Sequence, residues 1–191
     1  LTGSEAAGSS LAEAAGKNLK KSVLELGGSD AFIVLEDADI NLAVEKAVLG
    51  RFGNMGQACT SAKRIIVVDA VADEFLEKFK TQLTGLKVGD PMNADTKIGP
   101  MVSEEALKTL EKQVNDTVKE GAKIAIGGKR IEREGAFFEF TILTDIKPGM
   151  TAYHEELFGP VASFYKVTNE KAAIALANDT SFGLGGAVFS K

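Results

Sequence analysis

The chain has 191 residues, 45% hydrophobic and 26% charged, enough for one sizeable core and at most two small domains. A net charge of −5 argues against a nucleic-acid surface, and no apolar run approaches the roughly 18 residues that cross a bilayer. One cysteine excludes an internal disulfide and suits a reducing, cytoplasmic compartment, while the single histidine, His154, rules out a metal site built from several imidazoles.

Residues 3–16 are alanine-rich and predict a helix, with Ser4 as its cap and Gly16 as its end. The small residues at its start expose amide protons that can hold an anion, although no lysine follows Gly8 as in a Walker loop. In Ser22–Gly28, Glu25 lies between two leucines and just before a glycine pair. Such a carboxylate is paired, solvated, or desolvated into a general base. Ala31–Leu35 reads as a strand. Asp37 and Asp39 then suit the start of a helix carrying Ile40, Ala43, Val44, Ala47 and Val48. They lack the glycine and terminal glutamate of a calcium loop, and no metal site is expected.

Phe52 to Thr60 follows and contains Cys59. Gly53 and Gly56 let the backbone turn sharply, and Asn54 and Gln57 can bond loop amides or a ligand. A thiol on a tight loop before a strand can be held for nucleophilic attack, although a lone cysteine is as a rule a small core residue. Residues 64–68 predict that strand. Next comes an amphipathic helix with Val71, Phe75, Leu76, Phe79 and Leu83 on one face. Ser103 starts a further helix bearing Leu107, Leu110, Val114 and Val118, ended by Gly121. Lys123–Ile126 is a short strand, and Phe137, Phe138 and Phe140 are core aromatics. His154–Pro160 reads either as a polar turn or as a ligand-facing loop with one acid and one aromatic plane. Val161–Val167 is a strand, 169–178 a helix and Gly186–Phe189 a strand.

The alternation of strands and helices implies an α/β fold with a mainly parallel sheet flanked by helices. The chain opens on Leu1 without an initiator methionine and stops just after a strand-like run, so a piece cut from a longer chain is expected.

Leu24-Glu25-Leu26-Gly27-Gly28, Gly56-Gln57-Ala58-Cys59 and Glu155-Glu156-Leu157-Phe158-Gly159-Pro160 resemble the three signature stretches of the NAD(P)-dependent aldehyde dehydrogenases. Leu1-Thr2-Gly3-Ser4 resembles that family's phosphate-contacting turn, and Ala177-Asn178-Asp179-Thr180 is similar too. The resemblance runs the length of the chain in the family's order. Ser29-Asp30-Ala31-Phe32 and Ala62-Lys63-Arg64 look closest to bacterial succinate-semialdehyde dehydrogenases. Gly53 stands where some relatives acting on carboxylated aldehydes carry arginine, which leaves the aldehyde open.

The resemblance implies oxidation of an aldehyde to a carboxylic acid, succinate semialdehyde among the candidates, with NAD or NADP as cofactor. Cys59 would form a thiohemiacetal and, after hydride transfer, a thioester, and Glu25 would activate the hydrolytic water. Gly3, Ser4, Leu26, Glu156 and Phe158 would bind the cofactor. Residues 1–26 would be the tail of a dinucleotide-binding domain and 27–191 an incomplete catalytic domain of a homo-oligomeric parent. The second oxyanion donor would lie upstream, so these residues alone should be nearly inactive. Two other readings stay open: a cysteine hydrolase using Cys59 and His154, and a folded fragment without catalysis.

Overall fold

The computed structural model describes all 191 residues. Its elements are α1 (Glu5–Lys17), β1 (Ala31–Val34), α2 (Ile40–Phe52), β2 (Arg64–Val68), α3 (Asp69–Thr84), α4 (Glu104–Lys119), β3 (Lys123–Ile126), β4 (Thr141–Thr144), α5 (Thr151–His154), β5 (Val161–Val167), α6 (Glu170–Asn178) and β6 (Gly186–Phe189). The six strands form one sheet in the order β3-β4-β5-β2-β1-β6. All neighbours are parallel except β3, which runs antiparallel to β4. The expected α/β fold with a mainly parallel sheet and flanking helices is therefore the one observed.

The central strands are largely apolar because both faces are covered. In β2, all five residues are buried. Phe164 of β5 stacks on Phe75 of α3, and Phe52 of α2 meets Phe79 and Phe140, so α2 and α3 cover one face. On the other face, Arg64 of β2 donates to the carbonyls of Leu176 and Ala177 in α6. Fully burying a phenylalanine contributes about 1.5–3 kcal/mol, so the Phe75–Phe79 stripe is a large share of what docks α3.

Helix starts follow the side chains the sequence offers. Asp39, Ser103 and Asn169 accept the amides of Leu42, Ala106 and Ala172 and so cap α2, α4 and α6. Asp37 takes another role and accepts from Ser190 and Lys191 beyond β6. One expectation shifts. Helix α1 runs past Gly16, because Asn18 caps it and Leu19 makes the left-handed exit at φ 54°. Strand β4 had no forecast.

The core is one contiguous cluster of 36 buried residues, and it contains nothing before Phe32. Residues 1–26 stand apart from it. Gly3 donates to the Glu25 carbonyl and Glu25 to that of Leu1, which lays 22–26 alongside the N-terminus. Leu26 presses on α1 at Gly8, where an added Cβ would stand 2.6 Å from Leu26 Cδ2.

Candidate active site

The cysteine loop is held by its own turn. Asn54, Met55 and Gly56 are consecutive left-handed residues, at φ 52°, 58° and 67°. For the non-glycine pair this conformation costs of order 1 kcal/mol each, so the surroundings must fix it. They do so from both sides. Asn54 Nδ2 donates to the Gln57 carbonyl (3.2 Å), and Gln57 Nε2 donates to that of Asn54 (3.1 Å). Gln57 Oε1 accepts the Val102 amide at 2.8 Å, and Met55 is sealed in the core. Of the two roles open to Asn54 and Gln57, bonding loop amides is the one observed. The turn carries the chain to Cys59, which is half-buried and free.

Three distant stretches meet here. The Gly28 amide donates to Glu156 Oε1 at 3.2 Å. A Cβ on Gly27 would stand 2.4 Å from Glu156 Oε2, and one on Gly28 would stand 2.7 Å from the Cys59 carbonyl oxygen. The glycine pair is thus required by close approach to both the acid loop and the nucleophile loop. In the His154–Pro160 loop the two acids divide. Glu155 is exposed and accepts from Gln113, while Glu156 turns inward with a side chain 19% exposed. Phe158 stays 42% exposed, an aromatic plane open to a ligand. Of the two readings of this loop, the ligand-facing one matches that arrangement.

Two buried cations, unanticipated from sequence, tie the loops together. Arg51 of α2 is fully buried. Its Nε donates to the Val161 carbonyl and its Nη2 to that of Leu157, each at 2.7 Å, and the guanidinium also reaches Gly159 and Gly56. Burial pulls its pKa down to about 9, opposed by the charge of Glu156, so it stays protonated at neutral pH. Lys63 is 2% exposed. Its ammonium donates to the carbonyls of Ala58 (2.9 Å) and Cys59 (3.0 Å) and pairs with Glu156 Oε1 at 3.1 Å. Burial, then the Arg51 charge, hold the Lys63 pKa below its usual value, while Glu156 and Asp30 oppose the fall. Asp30 accepts the Gly185 amide at 2.9 Å and fixes the loop before β6.

The remaining predicted residues are placed as follows. Ser4 caps α1, its Oγ accepting the Ala7 amide at 3.2 Å, so the hydroxyl proton and the amides of Glu5 and Ala6 remain available to an anion. Gly3 and Leu26 join that helix start to the glycine pair, as described above. Glu25 is exposed rather than partly desolvated, because its backbone bonds with Leu1 and Gly3 turn the side chain outward. His154 is exposed at the end of α5, and its Nε2 already accepts the Gly149 amide at 3.0 Å, which leaves it no lone pair with which to act as base toward Cys59.

These groups fit a nicotinamide dinucleotide. The helix start suits a pyrophosphate, an inward carboxylate suits ribose hydroxyls, and Phe158 suits the flat ring. No helix is long and apolar enough to cross a membrane.

The family described as "Aldehyde dehydrogenase family" matches over residues 1–191. A succinate-semialdehyde dehydrogenase (NADP(+)) of Deinococcus radiodurans is 53% identical over 190 residues, covering 100% of this chain and 40% of that protein. The structure of Gox0499, described for its cofactor and substrate selection, superposes with a TM-score of 0.98 at 54% identity and covers 100% of this chain and 42% of that one. A betaine aldehyde dehydrogenase of Staphylococcus aureus in complex with NAD+ superposes with a TM-score of 0.97 at 38% identity, covering 100% and 39%. The chain therefore spans about 40% of the length of the curated relative it matches.

Proposed function

This chain belongs to the aldehyde dehydrogenase family, and from that premise we propose that it carries the nucleophile half of the active site of an enzyme that oxidises an aldehyde to a carboxylic acid with NAD(P). The observation that carries the reading is the meeting of Gly27–Gly28, the Cys59 loop and Glu156, three stretches far apart in sequence. Residues 27–191 are the catalytic domain in this reading, and 1–26 the end of the dinucleotide-binding domain. No residue of 1–26 belongs to the contiguous core, whereas Ser29 and Asp30 are buried and Ala31 packs against it, which supports that reading.

Cys59 attacks the aldehyde carbon, and its own backbone N–H faces the oxyanion that forms. Glu156 holds the ribose, Phe158 packs beside the ring, and Gly3, Ser4 and Leu26 line the phosphate end. When bound, the nicotinamide supplies the oxidant that takes up the hydride. The thioester left on Cys59 is then hydrolysed by water that Glu25 deprotonates. Succinate semialdehyde is the first substrate to try, from the name of the Deinococcus radiodurans relative, and NADP the first cofactor. The whole protein is read as a homo-oligomer of the cytoplasm.

The test is aldehyde-dependent reduction of NADP and NAD by the full-length protein, with Cys59→Ser as the control. Turnover by the variant at the parent rate would end the reading. A second measurement isolates Glu25. In Glu25→Gln, steady-state turnover should fall by about 10²–10⁴-fold, the usual contribution of a general base. A pre-steady-state burst of reduced cofactor should survive, since hydride transfer precedes hydrolysis. Loss of the burst with cofactor binding unchanged would contradict the role.

These 191 residues alone should fold, having a contiguous core, but turn over at no more than about 10⁻² of the full-length rate. Losing one oxyanion donor typically costs on the order of 10²–10³, and lost positioning adds to that. Parent-like turnover by the isolated chain would contradict this expectation.

A further inference from the structure

Lys63 is expensive to keep where it is. An ammonium that is 2% exposed loses most of its hydration, and a buried ion pair returns little net stability. An apolar side chain could fill the volume. What Lys63 does instead is touch the nucleophile loop and the inward acid at once and lie near the aromatic ring. Its Nζ donates to the Ala58 carbonyl at 2.9 Å and to the Cys59 carbonyl at 3.0 Å. It pairs with Glu156 Oε1 at 3.1 Å and lies 6.0 Å from the centre of the Phe158 ring.

We infer that Lys63 is a positioning residue whose charge sets the reactivity of Cys59, by polarising the Ala58–Cys59 peptide and by placing a fixed cation beneath the nucleophile. This rests on the reading of Cys59 as the nucleophile given above. Two effects follow from the geometry. The peptide whose carbonyl Lys63 holds is the one whose N–H belongs to Cys59. A cation on the carbonyl oxygen strengthens that N–H as a donor to a developing oxyanion. The ammonium is also bonded to the carbonyl of Cys59 itself, which by covalent geometry puts it within about 8 Å of Sγ, where a positive charge favours thiolate.

The charged groups acting on Lys63 are Arg51 from α2, Glu156 from the loop before β5, and Asp30 from the segment before β1. Glu156 partly cancels Lys63.

The test uses the full-length protein and reads the thiol directly. The rate of iodoacetamide modification is followed against pH on the peptide containing Cys59 by mass spectrometry, in wild type, Lys63→Met, Lys63→Arg and Glu156→Gln. Lys63→Met should raise the midpoint by about one pH unit and slow modification at neutral pH by about fivefold to tenfold. Lys63→Arg, which keeps the charge, should stay within about 0.3 unit of wild type, and Glu156→Gln should lower the midpoint. An unmoved midpoint in Lys63→Met, or equal shifts in Lys63→Met and Lys63→Arg, would overturn the inference. If Lys63→Met does not fold, Glu156→Gln still decides: an unmoved midpoint there overturns it as well. Failure of the functional reading is separately visible, as aldehyde oxidation that survives Cys59→Ser.

Discussion

Replacing Cys59 with alanine should abolish aldehyde oxidation in the full-length enzyme, a fall of about 10⁴-fold or more. The residue is the only thiol in the chain, and covalent catalysis leaves no other group in the site to take its place. Folding should be little affected. Cys59 is half-buried, its side chain has no hydrogen-bond partner, and the turn that carries it is held by Asn54, Gln57 and Lys63 rather than by sulfur. Thermal melting within a degree or two of wild type, together with lost NADP reduction, is the expected pair of results. Retained oxidation at even a hundredth of the parent rate would mean that the aldehyde is attacked elsewhere.

Arg51→Ala should act in the opposite way and cost stability first. The guanidinium is fully buried and serves the carbonyls of Val161, Leu157, Gly159 and Gly56. Deleting it strands several carbonyls away from water, and removing one member of a buried charged network costs about 3–5 kcal/mol. Against a total of roughly 5–15 kcal/mol for a domain, that is a large share. At about 2–4 °C per kcal/mol for a chain of this size, the melting temperature should drop by roughly 10 °C. The loop carrying Glu156 and Phe158 should loosen, and cofactor affinity should fall with it. Arg51→Lys should rescue little, since an ammonium lacks the planar fork that reaches several carbonyls. Urea unfolding free energies for wild type and variant within about 0.5 kcal/mol of each other would contradict this role.

Arg51 also illustrates where sequence reasoning stopped. Charged residues are read as surface by default. Yet Ala43, Val44 and Ala47 define the buried stripe of α2, and Arg51 lies four residues beyond Ala47 on the same face. The periodicity carried the signal, and the residue type concealed it. Lys63 left no such trace, because it sits in a loop where no period applies and its acidic partner, Glu156, comes from a distant segment.

Helices were legible where a capping side chain preceded an apolar stripe, as at Asp39 and Ser103. β2 and β5 were legible because parallel strands buried on both faces are rich in apolar, β-branched and aromatic residues. β4 was not. Four residues bounded by threonines, just after the Phe137–Phe140 aromatics, give neither alternation nor a long apolar run. Gly16 misled as a terminator because small residues throughout α1 made one glycine no more a stop than Gly8. In the site, the motif order pointed to Cys59 and Glu156. The meeting of the glycine pair with both loops is a three-dimensional fact that no local pattern could supply.

The central claim is that an acyl group passes through Cys59. The most direct test quenches Glu25→Gln enzyme during turnover of succinate semialdehyde with NADP, digests it, and weighs the peptide that contains Cys59. The account predicts a stoichiometric adduct of one succinyl group on that peptide, absent when either cofactor or aldehyde is withheld. Turnover with the Cys59 peptide unmodified, or with the acyl group on another residue, would contradict it.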